Sequence, residues 1–463
     1  MADSRIFALS HYLQEKWPLK KKLTLFLAST LIAYLGSRLL IDSEAMPQQA
    51  NGLFILILAS LLWITEAIPS FAVSFLILGF SIYLLDDLNP STINPEWKDY
   101  TAQWSSTVMW LFLGGFILAQ GAHKTGFDRY FSKLVLSFFG TKPAMLLMGV
   151  MLTTGVLSMF ISNTATAVMM LSVVQPVVAR LESTNPLRKG LLLGIAISAT
   201  VSGMGTIIGS APNAIAVGNL AEQGITVTFT DWMLVGVPMS LLLLLAGWFL
   251  LLRLYPSSQA KVELGQQETP DTHTSMFRIV MITFFTTVIL WMTSGNHGIP
   301  VSVIAFIPII VLTVTGILGA KDMRKVPWDT LILIVGGLIL GDVIRNSQLA
   351  DLFIAVFPQF EQPFLVLLFL GLATSGLSNL MSNTATAGII IPLVALMLPN
   401  HPIEASIIVG LASSTALILP ISTPPNSVVY SSGALDIRDF RKVGIILGLL
   451  GVVALTLWTL VIF

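Results

Sequence analysis

The stretches LSMFISNTATA (157–167) and LSNLMSNTATA (377–387) decide the fold, because they are near-copies of each other displaced by 220 residues. Each lies at the centre of an apolar segment, 143–181 or 363–398, that is too long and too polar at its middle to be a single membrane span. A polar centre between two apolar arms predicts a helical hairpin that enters and leaves the membrane on the same side.

The composition indicates that lipid, rather than water, is the main solvent. The chain has 463 residues, of which 55% are hydrophobic and only 10% are charged, whereas soluble domains have about 25% charged residues. The mean hydropathy is +0.85. The zero formal net charge suggests no nucleic-acid partner. The absence of cysteine excludes disulfides, thiolate catalysis and cysteine-based metal sites.

Apolar runs of membrane-spanning length predict eleven transmembrane helices, two of them broken, in addition to the two re-entrant hairpins. They are 23–41, 52–67, 70–86, 106–122, 187–218 (broken), 231–254, 276–294, 299–319, 329–345, 403–434 (broken) and 441–462. The predicted fold class is therefore an all-α polytopic membrane protein.

Loop charge predicts the orientation, because cytoplasmic loops are enriched in Lys and Arg. Lysines at 20–22 place the N-terminus in the cytoplasm, the acidic loop 86–105 lies outside, and the basic stretch 123–142 lies inside. The pattern is consistent only if each hairpin returns to its own side, and it then puts the C-terminus outside. Short loops and compact size favour a bacterial cytoplasmic membrane.

Further matched segments extend the repeat. LGGFILAQG (113–121) resembles VGGLILGDV (335–343), and GSAPN (209–213) resembles STPPN (422–426). Because the first copy enters from inside and the second from outside, this is an inverted-topology repeat of the kind that many secondary transporters use.

The tripeptides Ser162-Asn163-Thr164 and Ser382-Asn383-Thr384 are the leading candidates for a binding site. A hairpin tip leaves backbone carbonyls and amides without intrahelical partners. Side-chain and carbonyl oxygens suit an alkali cation, and free amides at a helix start suit a carboxylate. Ser158 and Ser378, one turn earlier, could add another oxygen. Close helix packing is the alternative role for a single copy, but two copies at equivalent points favour binding.

The segments 202–213 and 418–426 interrupt apolar spans with Gly and Pro, which free backbone carbonyls. Either break alone is explained by an ordinary kink, but the pair favours discontinuous helices that line a site. The apolar parts of the hairpins and broken helices hold no Asp, Glu, Lys, Arg or His. A bound dianion would need positive charge, so sodium ions and helix N-termini would have to supply it. This favours cation-coupled symport over anion exchange and over a proton relay.

Other features have simpler interpretations. Glu66, in WITEAIPS (63–70), is predicted to cap the start of the next helix, with a role in coupling as the alternative. The stretches 125–138 and 346–358 are predicted to be amphipathic interfacial helices.

The paired SNT motifs, WxTEAxP at 63–69 and SSTALILPISTPPNSVV (413–429) resemble the divalent anion:sodium symporter (DASS) family over nearly the whole chain. Many members have Phe where this chain has Leu417, a departure that leaves the polar atoms unchanged. The resemblance implies a homodimer in an elevator arrangement, in which a fixed scaffold supports mobile transport elements.

The resemblance also implies the site residues. One sodium site would use Ser158, Ser162, Asn163 and the backbone around Gly209. The second would use Ser378, Ser382, Asn383 and the backbone around Ser422. Substrate carboxylates would contact Asn163, Thr164, Asn383, Thr384, Thr423 and Pro424.

The implied divisions are an N-terminal cytoplasmic segment at 1–22, scaffold helices at 23–142 and 276–362, transport elements at 143–254 and 363–463, and a cytoplasmic linker at 255–275. The predicted function is sodium-coupled symport of C4-dicarboxylates such as succinate, malate and fumarate. A sodium-independent dicarboxylate exchanger and a sodium:citrate or sodium:sulfate carrier remain alternatives. An enzyme or channel is disfavoured, because no HExxH, GxSxG or core carboxylate pair is present.

Overall fold

Regular secondary structure in the described part of the chain is entirely helical, which confirms the all-α prediction. The computed structural model describes residues 19–42, 45–85, 97–182, 184–257, 260–262, 274–349, 352–353, 362–398 and 400–463. Within them, seven helices are long and apolar enough to cross a bilayer alone, and shorter apolar helices accompany them. The predicted number of spans stays a prediction.

The helices follow the order of the two repeats. The first half contains α1 (Leu19–Leu40), α2 (Pro47–Thr65), α3 (Ser70–Leu85), α4 (Trp97–Ala102), α5 (Thr107–Thr125), α6 (Phe127–Ser137), α7 (Pro143–Ser158), α8 (Asn163–Arg180), α9 (Leu187–Ser202), α10 (Ala211–Glu222) and α11 (Phe229–Leu254). The second contains α12 (Ser275–Met292), α13 (Ser294–His297), α14 (Val301–Ile304), α15 (Phe306–Val314), α16 (Ala320–Met323), α17 (Trp328–Asn346), α18 (Pro363–Ser378), α19 (Asn383–Met397), α20 (Pro402–Ala412), α21 (Pro424–Tyr430) and α22 (Ile437–Ile462).

Both predicted broken helices are interrupted in the structure. Between α9 and α10, the chain forms two 3-10 turns, Gly203–Gly205 and Ile207–Gly209. Glycine is needed at 209, because a Cβ there would clash with the carbonyl oxygen of Gly203. In the second half, α20 is followed by the 3-10 turn Ser413–Thr415 and an irregular segment that ends at α21.

The helices pack into two groups that each draw on both repeats. In one group, α2, α3 and α17 pack together, and α5 packs against α12 and α15. In the other group, α9 packs against α7, α8 and α11, while α22 packs against α11, α18 and α20. The buried apolar side chains of the described residues form a smaller cluster, built mainly from α2, α3 and α17, and a large one that includes residues of α5 and α12 as well as those of the other group.

The predicted capping role of Glu66 is wrong. Glu66 is the residue that ends α2, with φ 48 in the left-handed region, and its side chain is exposed. A left-handed residue commonly terminates a helix, so Glu66 belongs to the helix before the turn. Trp63 makes the link to α3 instead, because its indole Nε1 donates a hydrogen bond to the carbonyl of Ser70 at 3.1 Å.

Some predicted segments are only partly described. The helix predicted at 125–138 is present as α6, which packs against α5 and α7. Most of its counterpart at 346–358 lies outside the described residues, as do 1–18, most of the linker 255–275 and the end of the scaffold segment 276–362. The division into scaffold and transport elements stays a prediction.

Candidate functional site

Each SNT motif lies where a helix begins after a tight turn. The helix α7 ends at Ser158 and α8 begins at Asn163, and Ser162 Oγ accepts a hydrogen bond from the backbone N–H of Ala165 at 3.3 Å. Ser162 is therefore an N-cap, a role that was not predicted from the sequence. A hydroxyl oxygen has two lone pairs, so one stays available after capping.

The second motif has the same local geometry. The helix α18 ends at Ser378 and α19 begins at Asn383, and Ser382 Oγ accepts a hydrogen bond from the N–H of Ala385 at 3.2 Å. Both motifs thus present helix-start amides next to serine hydroxyls. Free amides and the positive end of the helix dipole favour an anion at each tip.

Oxygen atoms converge around Asn163. One terminal atom of its amide lies 2.7 Å from Ser158 Oγ, 3.1 Å from the carbonyl oxygen of Ala199 and 3.0 Å from that of Gly209. With nitrogen in that position, the amide donates to the carbonyls. With oxygen there, the amide oxygen and the two carbonyl oxygens gather around the Ser158 hydroxyl, which can donate to only one of them at a time, and a cation would balance their partial negative charge. The predicted set Ser158, Asn163 and Gly209 is therefore brought together.

The equivalent oxygens of the second repeat have no hydrogen-bond partner in the part of the chain that the structure describes. Ser378 Oγ and Asn383 Oδ1 are buried without a hydrogen bond among the described residues, and so is Thr374 Oγ1 one turn before Ser378. Buried polar atoms are normally hydrogen-bonded, so unpartnered oxygens at the mirror positions of an oxygen cluster fit a ligand site. The hydroxyl of Ser422 is occupied elsewhere, since it donates to Asn379 Oδ1 at 2.9 Å and accepts from Leu419 N–H at 3.1 Å.

The predicted substrate contacts differ in exposure. Thr164 and Pro424 are exposed, Thr384 is half-buried, and Thr423 is buried. Thr423 caps α21 and lies 3.3 Å from Thr200, hydroxyl to hydroxyl, so it joins the second broken helix to the first. Thr200 was not predicted, because nothing in an apolar helix marks one threonine above the others.

Two asparagines to which no role was assigned from the sequence hold the broken helices open. Asn213 Nδ2 donates to the carbonyls of Gly203 at 2.9 Å and Thr206 at 2.7 Å. Asn426 Nδ2 donates to the carbonyl of Leu419 at 2.9 Å. Their placement at the end of GSAPN and STPPN, the paired Pro-Asn motifs, is the signal that could have identified them.

The two repeats interlock at these tips. The returning helix α8 of the first hairpin packs against α21 of the second repeat, and α19 of the second hairpin packs against α10 of the first. Each hairpin therefore meets the broken helix of the opposite repeat. This arrangement brings both SNT motifs to a single region of the molecule.

The two returning helices differ in what covers them. Along α8, Ala165, Ser172 and Gln175 are exposed. The equivalent residues along α19 are all buried, where α19 packs against α17. They are Ala385, Pro392 and Ala395. The returning helix of the second hairpin is thus covered by α17, whereas that of the first hairpin has an exposed face.

Comparisons with known proteins identify the family. The family model described as CitMHS, citrate transporter, matches residues 60–408. The chain is 29% identical over 441 residues to the sodium-dependent dicarboxylate transporter SdcS of Staphylococcus saprophyticus, covering 85% of this chain and 82% of the relative. It is also 29% identical over 437 residues to an uncharacterized transporter of Haemophilus influenzae, covering 88% of this chain and 91% of the relative.

Among solved structures, the YdaH transporter of Alcanivorax borkumensis is similar in fold. The TM-score is 0.54 at 14% sequence identity, covering 87% of this chain and 97% of the other. The family and these relatives are transporters rather than enzymes, and the apolar helices make the protein an integral membrane protein. The match of the family model over most of the chain shows that the protein belongs to the divalent anion:sodium symporter family, which its SNT motifs resemble.

Proposed function

We propose that this protein is a secondary transporter that carries a C4-dicarboxylate, such as succinate, malate or fumarate, together with sodium ions. The observation that carries the proposal is the oxygen cluster at Asn163, where a side-chain amide, a hydroxyl and two backbone carbonyls converge. Hard oxygen donors without a formal charge suit an alkali cation. The sodium-dependent name of the relative SdcS supports the same assignment.

Charge balance explains why sodium and substrate would travel together. The hairpins and broken helices, which would form the substrate site, have no basic side chain in their apolar parts. A dianion there would be costly without counter-charge. Two sodium ions, one at Ser158, Ser162, Asn163 and Gly209 and one at Ser378, Ser382, Asn383 and Ser422, would supply it. The carboxylates would then meet Asn163, Thr164, Asn383 and Thr384 beside Thr423 and Pro424.

The exposure of only one of the two returning helices supports an elevator mechanism. We assign the group around α7–α11 and α18–α22 to a mobile transport domain and the group around α2, α3, α5, α12, α15 and α17 to a fixed scaffold. Ion pairs within each group support this division. Lys189 Nζ bonds Asp439 at 2.8 Å within the first, and Lys124 Nζ bonds Asp322 at 2.6 Å within the second. With the N-terminus in the cytoplasm and the C-terminus outside, this conformation opens inward.

We further assign the protein to a bacterial cytoplasmic membrane, because of its short loops and compact size, and we infer a homodimer from the family resemblance. The amphipathic α6 connects α5 of the scaffold to α7 of the mobile group, which suits a hinge between a fixed and a moving part. Cross-linking in native membranes would test the dimer.

Uptake into proteoliposomes tests the function. Labelled succinate should accumulate when an inward sodium gradient is imposed and should not accumulate in choline buffer. Equal uptake in choline would contradict sodium coupling and would favour the exchanger, which counterflow with internal substrate would then reveal. A citrate carrier is the second candidate, because the matching family model is described as a citrate transporter. Succinate, malate, fumarate, citrate and sulfate should therefore be compared in one panel.

A further inference from the structure

A charged cluster joins the end of α10 to the end of α17. Arg345 Nη2 donates to Glu222 Oε2 at 3.3 Å and also bonds Asp342. Gln103, in the 3-10 turn after α4, donates from Nε2 to Asp342 Oδ2 at 2.9 Å and to Glu222 Oε1 at 3.2 Å. The guanidinium and the amide thus hold two carboxylates between them.

Glu222 needs these partners. It is the last residue of α10, where the negative end of the helix dipole disfavours a carboxylate. The side chains of Glu222 and Arg345 are 35% and 24% exposed. Because the pair is partly shielded from water, its charge-assisted hydrogen bonds are stronger than those of a fully exposed surface pair.

The pair crosses the boundary between the two helix groups. The helix α10 follows the oxygen cluster directly and belongs to the mobile group, whereas α17 and Gln103 belong to the fixed one. The pairs Lys189–Asp439 and Lys124–Asp322, by contrast, each stay within one group. Movement of one group against the other would therefore have to break the contacts of Glu222.

Among the described residues, the mirror-image positions of the two repeats do not form an equivalent pair. Alignment of LGGFILAQG with VGGLILGDV places Gln120 at the position of Asp342 and His123 at the position of Arg345. Alignment of GSAPN with STPPN, continued along the chain, places Leu435 at the position of Glu222. Leu435 is buried and cannot pair with a charge. The mirror-image conformation, in which α21 would approach α5, thus lacks this ion pair.

We propose that Glu222 and Arg345 form a latch that stabilises the conformation seen here and not the opposite one. The inference rests on the proposed elevator movement. A bond present in only one of two states shifts their populations by the free energy of that bond. The latch would therefore favour, in the resting carrier, the conformation in which α8 is exposed.

The absence of cysteine makes the test direct. Ser172→Cys on α8 and, in a separate protein, Ala395→Cys on α19 report the two faces through labelling by a membrane-impermeant maleimide. With no other change in the chain, the Ser172→Cys protein should react rapidly and the Ala395→Cys protein slowly. Adding Glu222→Gln to each should reduce the ratio of the two rates by about fivefold, since a charge-assisted hydrogen bond between the groups is lost.

Control variants separate the latch from a general loss of charge. Lys124→Gln breaks an ion pair inside the fixed group and should leave the ratio unchanged. Arg345→Lys keeps the positive charge and should shift the ratio less than Arg345→Gln. Adding Glu222→Gln to Arg345→Gln should cause a smaller shift than Glu222→Gln alone, because only the bond from Gln103 is left to weaken. If Glu222→Gln does not fold, Glu222→Asp, which shortens the reach, should shift the ratio in the same direction.

An unchanged ratio in every folded Glu222 variant would overturn the latch. The labelling uses no substrate, so its result is independent of the transport assay. Failure of the wild-type protein to take up any carboxylate would count against the proposed function while leaving the labelling result intact. Normal sodium-driven uptake with an unchanged ratio would count against the latch alone.

Discussion

The returning helices of the two hairpins share a sequence pattern but have opposite surroundings. Ala165 of α8 is exposed, whereas its counterpart Ala385 of α19 is 1% exposed. On the covered side, α19 lies close to α17. A Cβ added to Gly337 of α17 would be 3.4 Å from the Cα of Gly388 in α19. The inverted repeat therefore produces two hairpins of equivalent sequence, but in this conformation only the returning helix of the second hairpin is buried against α17.

The site itself shows a second asymmetry. In the first repeat, the hairpin is joined to the broken helix through a backbone atom, because Thr206 Oγ1 donates to the carbonyl of Met159. In the second repeat, the residue aligned with Met159 is Asn379, and its side chain makes the link. The two candidate ion sites are therefore built from similar oxygens held by different supports.

The strongest test of the shared chemistry removes the amide from each tip. Asn163→Ala and Asn383→Ala should each lower uptake by roughly 100-fold, since each removes a proposed sodium ligand, and Asn163→Ala also removes the partner of buried oxygens, at about 1–3 kcal/mol apiece. Uptake of labelled succinate at fixed sodium measures the effect. Asn346→Ala, on the scaffold, serves as the control and should transport normally. Wild-type uptake by either tip variant would refute the site assignment.

A smaller effect should distinguish the two repeats. A Cβ on Gly203 would lie 2.7 Å from both terminal atoms of the Asn163 amide, which is closer than non-bonded contact allows. The aligned residue of the second repeat is already Ala416. Gly203→Ala should displace the amide and raise the sodium concentration for half-maximal uptake by about tenfold or more.

The matched variant in the second repeat is Ala416→Gly. It should leave sodium dependence nearly unchanged and lower stability by about 0.5–1 kcal/mol, the usual cost of an added glycine. Sodium titrations of uptake and thermal unfolding of both variants check the pair. Similar sodium dependence in the two variants would mean that Gly203 does not position Asn163.

The hairpins and broken helices could be predicted because helix breaks in an apolar chain require Gly, Pro, Ser, Thr and Asn, which stand out by composition. The gathering of Ser158, Asn163 and Gly209 followed from the repeat and the family resemblance. The Thr200–Thr423 contact could not be predicted, since it depends on how two helices cross. Nor could the exposed side be predicted, because that reflects the conformation adopted and not the motif, which both arms share.

The smallest expected effect concerns the support of the second site. Asn379 Oδ1 accepts hydrogen bonds from Ile418 N–H and from Ser422 Oγ, both at 2.9 Å, and Nδ2 donates to the carbonyl of Ser375 at 2.8 Å. Replacement by the residue of the first repeat, Asn379→Met, leaves a buried backbone amide without an acceptor. The loss of about 1 kcal/mol of positioning energy should raise the half-saturating sodium concentration roughly fivefold.

A structural defect alone would behave differently from lost positioning. Tyr255→Phe removes another buried hydrogen bond, from the tyrosine hydroxyl to Asp439 Oδ1 at 2.8 Å, at a distance along the chain from both SNT motifs. Tyr255→Phe should lower thermal stability without changing sodium dependence. Asn379→Met should instead lower the uptake rate at low sodium concentrations and reach the wild-type rate when sodium is raised. If Asn379→Met instead lowers the uptake rate equally at all sodium concentrations, Asn379 only stabilises the fold. The side chain of Asn379 would then not position the second candidate sodium site.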